Sequence, residues 1–380
     1  CVIGCNRATY EAEDGKKGKF MCQAASFYDS WASKYYGKVT ETPFYAVKLC
    51  DDYGVCTKSL SMLIIWLNAC FKAGILTEKD TGIPLSKLGS LEYIQILLKT
   101  LSFREGFGNI LAQGTARAAE TLGQKAQELV PPRLFRTGDS SEYGPRLYTH
   151  TALLWATEPA RVAQGALHEI GLLFFRWLDW LKKAEVSQPG DERAGLSTDE
   201  LRKIIMKFWG SEEAADFSTY DGKALAAKKI QDREYAKESL ILCDALWPVY
   251  GLDYVQDNGG GPTLESKVIS AILGKNMNEE DLCLLGERIF NLQRAIFLRE
   301  GHKGKDDDII PEFYFSVPLK SEAHNPDCLV PGKNGEVISR KGQVVDREKF
   351  EQMKEEYYRL RGWDVKTGIP TREKMTALGL

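Results

Sequence analysis

The stretch Ser59–Gly74, SLSMLIIWLNACFKAG, decides the fold class. Its apolar residues cover a helical surface and a glycine ends the run, the pattern of a core helix. Leu91–Leu101 repeats it, and so does Ile110–Leu122, ILAQGTARAAETL, punctuated by Gly123. Further helices are expected at about 168–181, 198–208, 223–246, 264–273, 280–299, 347–361 and 371–378. Period-two alternation is sparse. Only Glu312–Leu319 (EFYFSVPL) and Glu336–Asp346 (EVISRKGQVVD), the latter with a Lys-Gly turn, read as strands. The expected class is mainly α.

A chain of 380 residues has room for two or three domains of ordinary size. The best internal boundary is PPRLFRTGDSSEYGPR, Pro131–Arg146, which lacks periodicity and is rich in turn formers. A division near Tyr148 gives helical domains at 1–147 and 148–380. The composition is 43% hydrophobic and 27% charged, and the formal charge of −3 offers no basic surface for nucleic acid or an anionic membrane. No run approaches the roughly 18 apolar residues of a spanning helix. SMLIIWLNACF and IGLLFFRWLDWL therefore read as core helices. Nine cysteines in a large, loop-poor chain suit a reduced cytoplasmic protein better than a disulfide framework. Gly259–Gly261 has neither Rossmann nor P-loop spacing.

The opening CVIGC, with Cys1 and Cys5, reads as a chain cut within a longer one. Two thiolates alone do not complete a structural zinc or iron–sulfur site, which takes about four ligands. Cys243, in ESLILCDALWPVY, lies near the end of a helix that Pro248 stops. Cys56, in LCDDYGVCTKS, follows a glycine and precedes a helix, whose N-terminus favours a thiolate. Cys22, Cys50, Cys70, Cys283 and Cys328 have apolar or plain neighbours and read as small buried hydrophobes. The histidines are His150, His168, His302 and His324, and a lone histidine on an apolar helix is commonly a satisfied core group.

The two cysteine contexts share a frame. Asp51-Asp52-Tyr53-Gly54-Val55-Cys56 and Glu238-Ser239-Leu240-Ile241-Leu242-Cys243 both read acid, two residues, Gly or Ile, aliphatic, Cys. This resembles the paired D-x-x-G-L-C/D motifs of the aldehyde:ferredoxin oxidoreductase family, tungsten enzymes with two pterin dithiolenes and one [4Fe-4S] cluster. ILAQGTARAAETLG, ALLWATEPAR, GERIFNLQRAIFLREGHKGKDDDIIPEFYF and EEYYRLRGWDVKTGIPTREKMTALGL are similar to the family's signature stretches in the family's order.

The resemblance implies two largely helical domains, with the family's N-terminal β-rich pterin-base domain missing. It implies that Cys1, Cys5 and Cys243 ligate the cluster, the fourth ligand lying upstream of residue 1 in a C-x2-C-x3-C group. Asp51 and Glu238 would each accept hydrogen bonds from one pterin. Gly54, Val55, Cys56 and Leu242 would complete the cofactor contacts. Gly54 permits close backbone approach, and Ile241 departs from that glycine. Cys56 either shapes the pterin pocket or ligates the metal, as a cysteine does in the related tungsten benzoyl-CoA reductases. His168 falls just after ATEPAR, where the family places a proton-exchanging histidine near the metal. Arg161 and Arg146 are candidate anchors for pterin phosphates or a carboxylate product.

The implied activity is oxidation of an aldehyde to a carboxylate at tungstopterin, a bis-molybdopterin carrying W or Mo, with electrons passing through the [4Fe-4S] cluster to ferredoxin or another electron-transfer subunit. Aldehyde-oxidising members carry a Glu some twenty residues past the third cluster cysteine, whereas KFMCQAASFY has no acid between Lys19 and Asp29. That departure and Cys56 bring in an alternative, a benzoyl-CoA-reductase-like subunit acting on an acyl-CoA. A non-catalytic, cluster-bearing electron-transfer subunit is the alternative from another class. The fragment alone is expected to be inactive. No nucleic acid or membrane partner is expected, and a homodimer is left open.

Overall fold

The computed structural model describes residues 9–19, 26–135, 138–139, 143–158, 164–186, 195–242, 263–322 and 324–380. Its chain divides into two units, Cys1–Ser140 and Ser141–Leu380.

The first unit starts with an antiparallel pair, β1 (Thr9–Glu11) and β2 (Lys17–Lys19), Thr9 lying opposite Lys19. After α1 (Asp29–Tyr36) and α2 (Thr42–Tyr53) comes α3 (Thr57–Lys72), the core helix read from Ser59–Gly74. Ile64, Trp66, Leu67 and Cys70 on α3 are sealed from solvent. Each fully buried large apolar side chain contributes roughly 1.5–3 kcal/mol. Trp66 also places its indole N–H on the Ala126 carbonyl at 2.9 Å, so its polar atom is satisfied. A capping box between Thr77 and Asp80 starts α4 (Glu78–Thr81), and Ser90 caps α5 (Leu91–Ser102). Ile94, Leu97 and Leu98 of α5 join the α3 core. The helix expected over Ile110–Leu122 is two helices, α6 (Gly108–Leu111) and α7 (Thr115–Leu122). Gly114 separates them at φ 90°, a conformation open to glycine that no helix contains. α8 (Gln124–Gln127) and the short pair β3 (Leu134–Phe135) and β4 (Gly138–Asp139) complete the unit.

The second unit contains α9 (Thr151–Thr157), α10 (Gln164–Val186) and α11 (Thr198–Trp209), the last opened by a Ser197–Glu200 capping box and closed by left-handed Gly210. α12 (Lys223–Ser239) and α13 (Thr263–Leu273) follow, then α14 (Glu279–Arg299) with an Asn278–Asp281 capping box. The strand expected at Glu312–Leu319 is instead a helical turn, α15 (Phe313–Ser316). The Tyr314 N–H bonds the Pro311 carbonyl and starts that turn. Its aromatic rings find tertiary partners: Tyr314 is buried, Arg146 lies 4.5 Å over Phe313 and 5.5 Å over Tyr314, and Arg347 lies 3.9 Å over Phe315. High β propensity gives way here to tertiary contacts. In the other expected strand only β6 (Val337–Ser339) forms, and its partner is the upstream β5 (Leu329–Pro331), not a segment across Lys341-Gly342. Gly342 donates to Leu319 and Leu319 to Gln343, which uses the Lys-Gly turn to tie down the end of the α15 segment. α16 (Arg347–Arg361) and α17 (Arg372–Ala377) end the chain.

α12 organises this unit and is unusual in being buried and polar at once. Gln231, Asp232, Arg233, Glu234 and Lys237 are all enclosed. Arg233 makes a forked contact with Glu265 of α13 at 2.9 and 3.2 Å, and Lys237 bonds Glu234 at 3.0 Å. Arg361 of α16 bonds the Asp232 carboxylate and, at 2.9 Å, the Gln231 side chain. On α14, a Cβ at Gly286 would stand 1.6 Å from the Asp232 carbonyl oxygen, so the two helix backbones touch and only glycine fits. Among the described residues no single helix is long and apolar enough to cross a membrane.

Candidate functional site

The first acid frame is a helix C-terminus. α2 ends at Tyr53 and Gly54 turns left-handed at φ 67°, ψ 32°. The Gly54 N–H bonds the Asp51 carbonyl at 3.3 Å and the Val55 N–H bonds the Cys50 carbonyl at 2.9 Å. This pair of bonds is the Schellman closure. Val55 packs on the unit's apolar core, and Cys50 beneath it is 1% exposed. Burial pushes the Cys50 thiol up to about 12, so it behaves as the small hydrophobe the sequence suggests. Cys56 is exposed and occupies the N-cap position of α3, and the two helices bend by 114° at this break. Asp51 is about half exposed, and Lys48 reaches its carboxylate at 2.7 Å.

The second frame repeats the first bond for bond. α12 stops at Ser239, short of residue 246, and Ile241 turns left-handed at φ 61°. The Ile241 N–H bonds the Glu238 carbonyl at 3.0 Å and the Leu242 N–H bonds the Lys237 carbonyl at 3.0 Å. Each turn therefore hangs from the carbonyl of a fully buried residue, and each leaves its acid exposed. What Gly54 does freely, Ile241 does against the clash between its Cβ and the backbone, which costs roughly 1–2 kcal/mol. Its side chain is 59% exposed.

The donor set of both frames suits a pterin: an acceptor-only carboxylate stands beside a tight turn, matching ring N–H and amino donors. Cys1, Cys5, Cys243 and Arg161 lie outside the described residues, as does the side chain of His168, whose backbone is in α10. Arg146 is engaged within its own unit, donating to the Val317 carbonyl at 2.7 Å beside the Phe313 ring. His150 is buried between Trp209 and Phe217, and burial holds it well below the usual histidine range. His302 accepts from the Gly304 N–H at 3.0 Å, and His324 packs on Phe175. Cys70 and Cys328 are buried, as expected. Among the described residues no group of three or more His, Cys, Asp or Glu is arranged to hold a metal ion.

Sequence reasoning missed Glu158. It closes α9 in extended conformation, as a residue before proline must, and is 1% exposed. It accepts from Gln231 at 2.7 Å and from the Tyr235 hydroxyl, both on α12. Burial pushes it up to about 7; Tyr235, Gln231 and Arg361 pull it down, and Glu238 pushes it further up. The only signal in the sequence is its place in ALLWATEPAR, where the apolar run before it foretells burial.

The family pattern described as aldehyde ferredoxin oxidoreductase, domains 2 and 3, matches residues 1–380. The chain belongs to that family. It is a family of oxidoreductases, whose relatives include tungsten-containing members. The tungsten-containing aldehyde ferredoxin oxidoreductase of Pyrococcus horikoshii is 24% identical over 396 residues, covering 100% of this chain and 52% of that protein. The aliphatic sulfonate oxidoreductase WOR-like subunit of Pyrococcus furiosus is 25% identical over 337 residues, covering 88% and 42%. Among solved structures, the BamBC active-site complex of benzoyl coenzyme A reductase with 1,5-dienoyl-CoA shares the fold, with a TM-score of 0.59 and 21% identity over 98% of this chain and 51% of that one. The chain spans about half the length of these curated relatives.

Proposed function

We propose that the chain forms the two helical domains of a cytoplasmic tungsten or molybdenum pterin oxidoreductase that converts a small aldehyde to a carboxylate and passes electrons to ferredoxin or a similar subunit. The observation that carries this reading is the repeated frame, two Schellman turns each presenting one carboxylate at the end of a buried helix. A scaffold that had lost its cofactors has no use for acids in that frame. When bound, the metal and its pterins would supply two-electron chemistry and a [4Fe-4S] cluster one-electron transfer. The chain's own part is to accept pterin N–H donors at Asp51 and Glu238, to hold the cluster through Cys1, Cys5 and Cys243, and to exchange a substrate proton at His168.

A second reading, a reductase of acyl-CoA thioesters, is favoured by the exposed position of Cys56 between Gly54 and α3. The experiment measures metal content, cluster absorbance and aldehyde-dependent dye reduction in the holoprotein and its variants. His168→Asn is expected to keep metal and cluster and to lower turnover by about 10²–10⁴, the usual worth of a positioned acid or base. Normal turnover in that variant removes His168 from the chemistry. Metal loss in Cys56→Ala, together with no aldehyde activity in wild type, selects the thioester reading.

A further inference from the structure

Gln231, Tyr235 and Glu238 follow one another on α12 at intervals of four and three residues, and so share one face of the helix. Glu158 lies on that face, held by the first two and close enough to the third to feel its charge. Among the described residues, the other titratable groups facing it belong to α16. Tyr357 donates to Gln231, and Arg361 bonds Tyr357 at 3.0 Å. The Arg361 guanidinium is already committed to Asp232 and Gln231. From α14 comes only the Phe290 ring, 5.1 Å from that of Tyr235. Two carboxyls on one helix face, one of them sealed from water, do not both ionise without cost, and the sealed one holds its proton longer.

We propose that Glu158 is a buried proton-exchanging residue behind the second acid frame, coupled to the charge at Glu238 and reached through the Tyr235 hydroxyl. The inference rests on the redox reading above and adds a proton acceptor to it. Oxidation of an aldehyde consumes one water and gives one carboxylic acid, two electrons and two protons. The electrons leave singly to an acceptor of the ferredoxin class, the Glu158 carboxylate takes up one proton, and bulk water takes the other. Negative charge at Glu238 raises the proton affinity of Glu158, and neutralising that charge lowers it. Burial pushes the Glu158 carboxyl up to about 7, the range in which a carboxyl serves for proton exchange near neutrality.

The test uses the holoprotein as wild type, Glu158→Gln and Tyr235→Phe. It records the reduction potentials of the bound centres from about pH 5 to pH 9, the infrared band of protonated carboxyl groups, and metal content. In wild type the potential should bend with pH near neutrality and a protonated-carboxyl band should fade over the same range. Glu158→Gln should lose both. Tyr235→Phe, which removes a hydrogen bond that lowers Glu158, should move both to higher pH. A bend that persists unchanged in Glu158→Gln, or a wild-type potential independent of pH, overturns the proposal while metal content shows the redox reading intact. A holoprotein without metal or cluster overturns that reading and brings the proposal down with it.

Discussion

The two acid frames carry the same turn on supports of opposite character. Behind Asp51, α2 buries Ala46, Val47 and Cys50 in an apolar core. Behind Glu238, α12 buries Gln231, Asp232, Arg233, Glu234 and Lys237. Backbone hydrogen bonds alone fix the turn, so packing is free to differ. What differs is the response to change: an apolar support loses stability through cavities, whereas an ionic one loses it through charges left alone.

The largest contrast should come from the buried ions. Glu265→Ala takes the forked partner from buried Arg233, leaving it the longer 3.7 Å contact with Glu234, and is expected to cost about 3–5 kcal/mol. Leu67→Ala in the apolar unit should cost roughly 2–5 kcal/mol. Denaturant unfolding separates them once the surviving ion is changed as well: adding Arg233→Met to Glu265→Ala should recover much of the loss by removing the uncompensated charge, a rescue the cavity variant has no counterpart for. No recovery in the double variant would remove the distinction between the supports.

Glu158 sharpens the comparison, since the first frame has no equivalent among the described residues. Its carboxyl is raised in the folded protein, so the stability it lends is complete below the unfolded value of 4.5 and is lost as pH climbs to about 7. Glu158→Gln, which stays neutral, should match wild type near pH 4.5 and exceed it by about 3 kcal/mol at pH 8. Parallel stability curves for the two proteins would show that Glu158 titrates alike in the folded and unfolded chain, with no raised carboxyl.

Exchanging the turn residues gives a smaller effect of opposite sign in the two frames. Ile241→Gly should stabilise by about 1 kcal/mol, relief of left-handed strain outweighing glycine's added chain entropy, and Gly54→Ile should destabilise by roughly 1–2 kcal/mol. Thermal unfolding checks both. The smallest effect is expected from Lys48→Ala, at about 0.2–1 kcal/mol, because its ion pair with half-exposed Asp51 is screened by water.

Where side-chain periodicity and caps agreed, the sequence was readable: α3, α5, α14 and α16 lie where their apolar spacing puts them. The acid frames were legible as a pattern, but not their left-handed turn at Ile241, because isoleucine is a poor advertisement for positive φ. Gly114 was passed over inside a helical pattern, since a glycine's φ cannot be read from its neighbours. The burial of α12 is not legible in its polar composition, because burial of charge is revealed only by the partners that Glu265 and Arg361 bring from far along the chain. Glu158 was hidden for the same reason.

The contact at Gly286 has a mechanical consequence. With the α14 backbone resting directly on the Asp232 carbonyl, no compressible side chain lies between the two helices. A rod seated on a rod without padding neither slides nor rolls without lifting off. α14 therefore serves α12 as a stop, setting how far the helix projects and where its final turn comes to rest. The smallest added methyl at position 286 would lift α12 and carry the Glu238 turn with it, so the placing of one acid is gauged by a hydrogen atom on another helix.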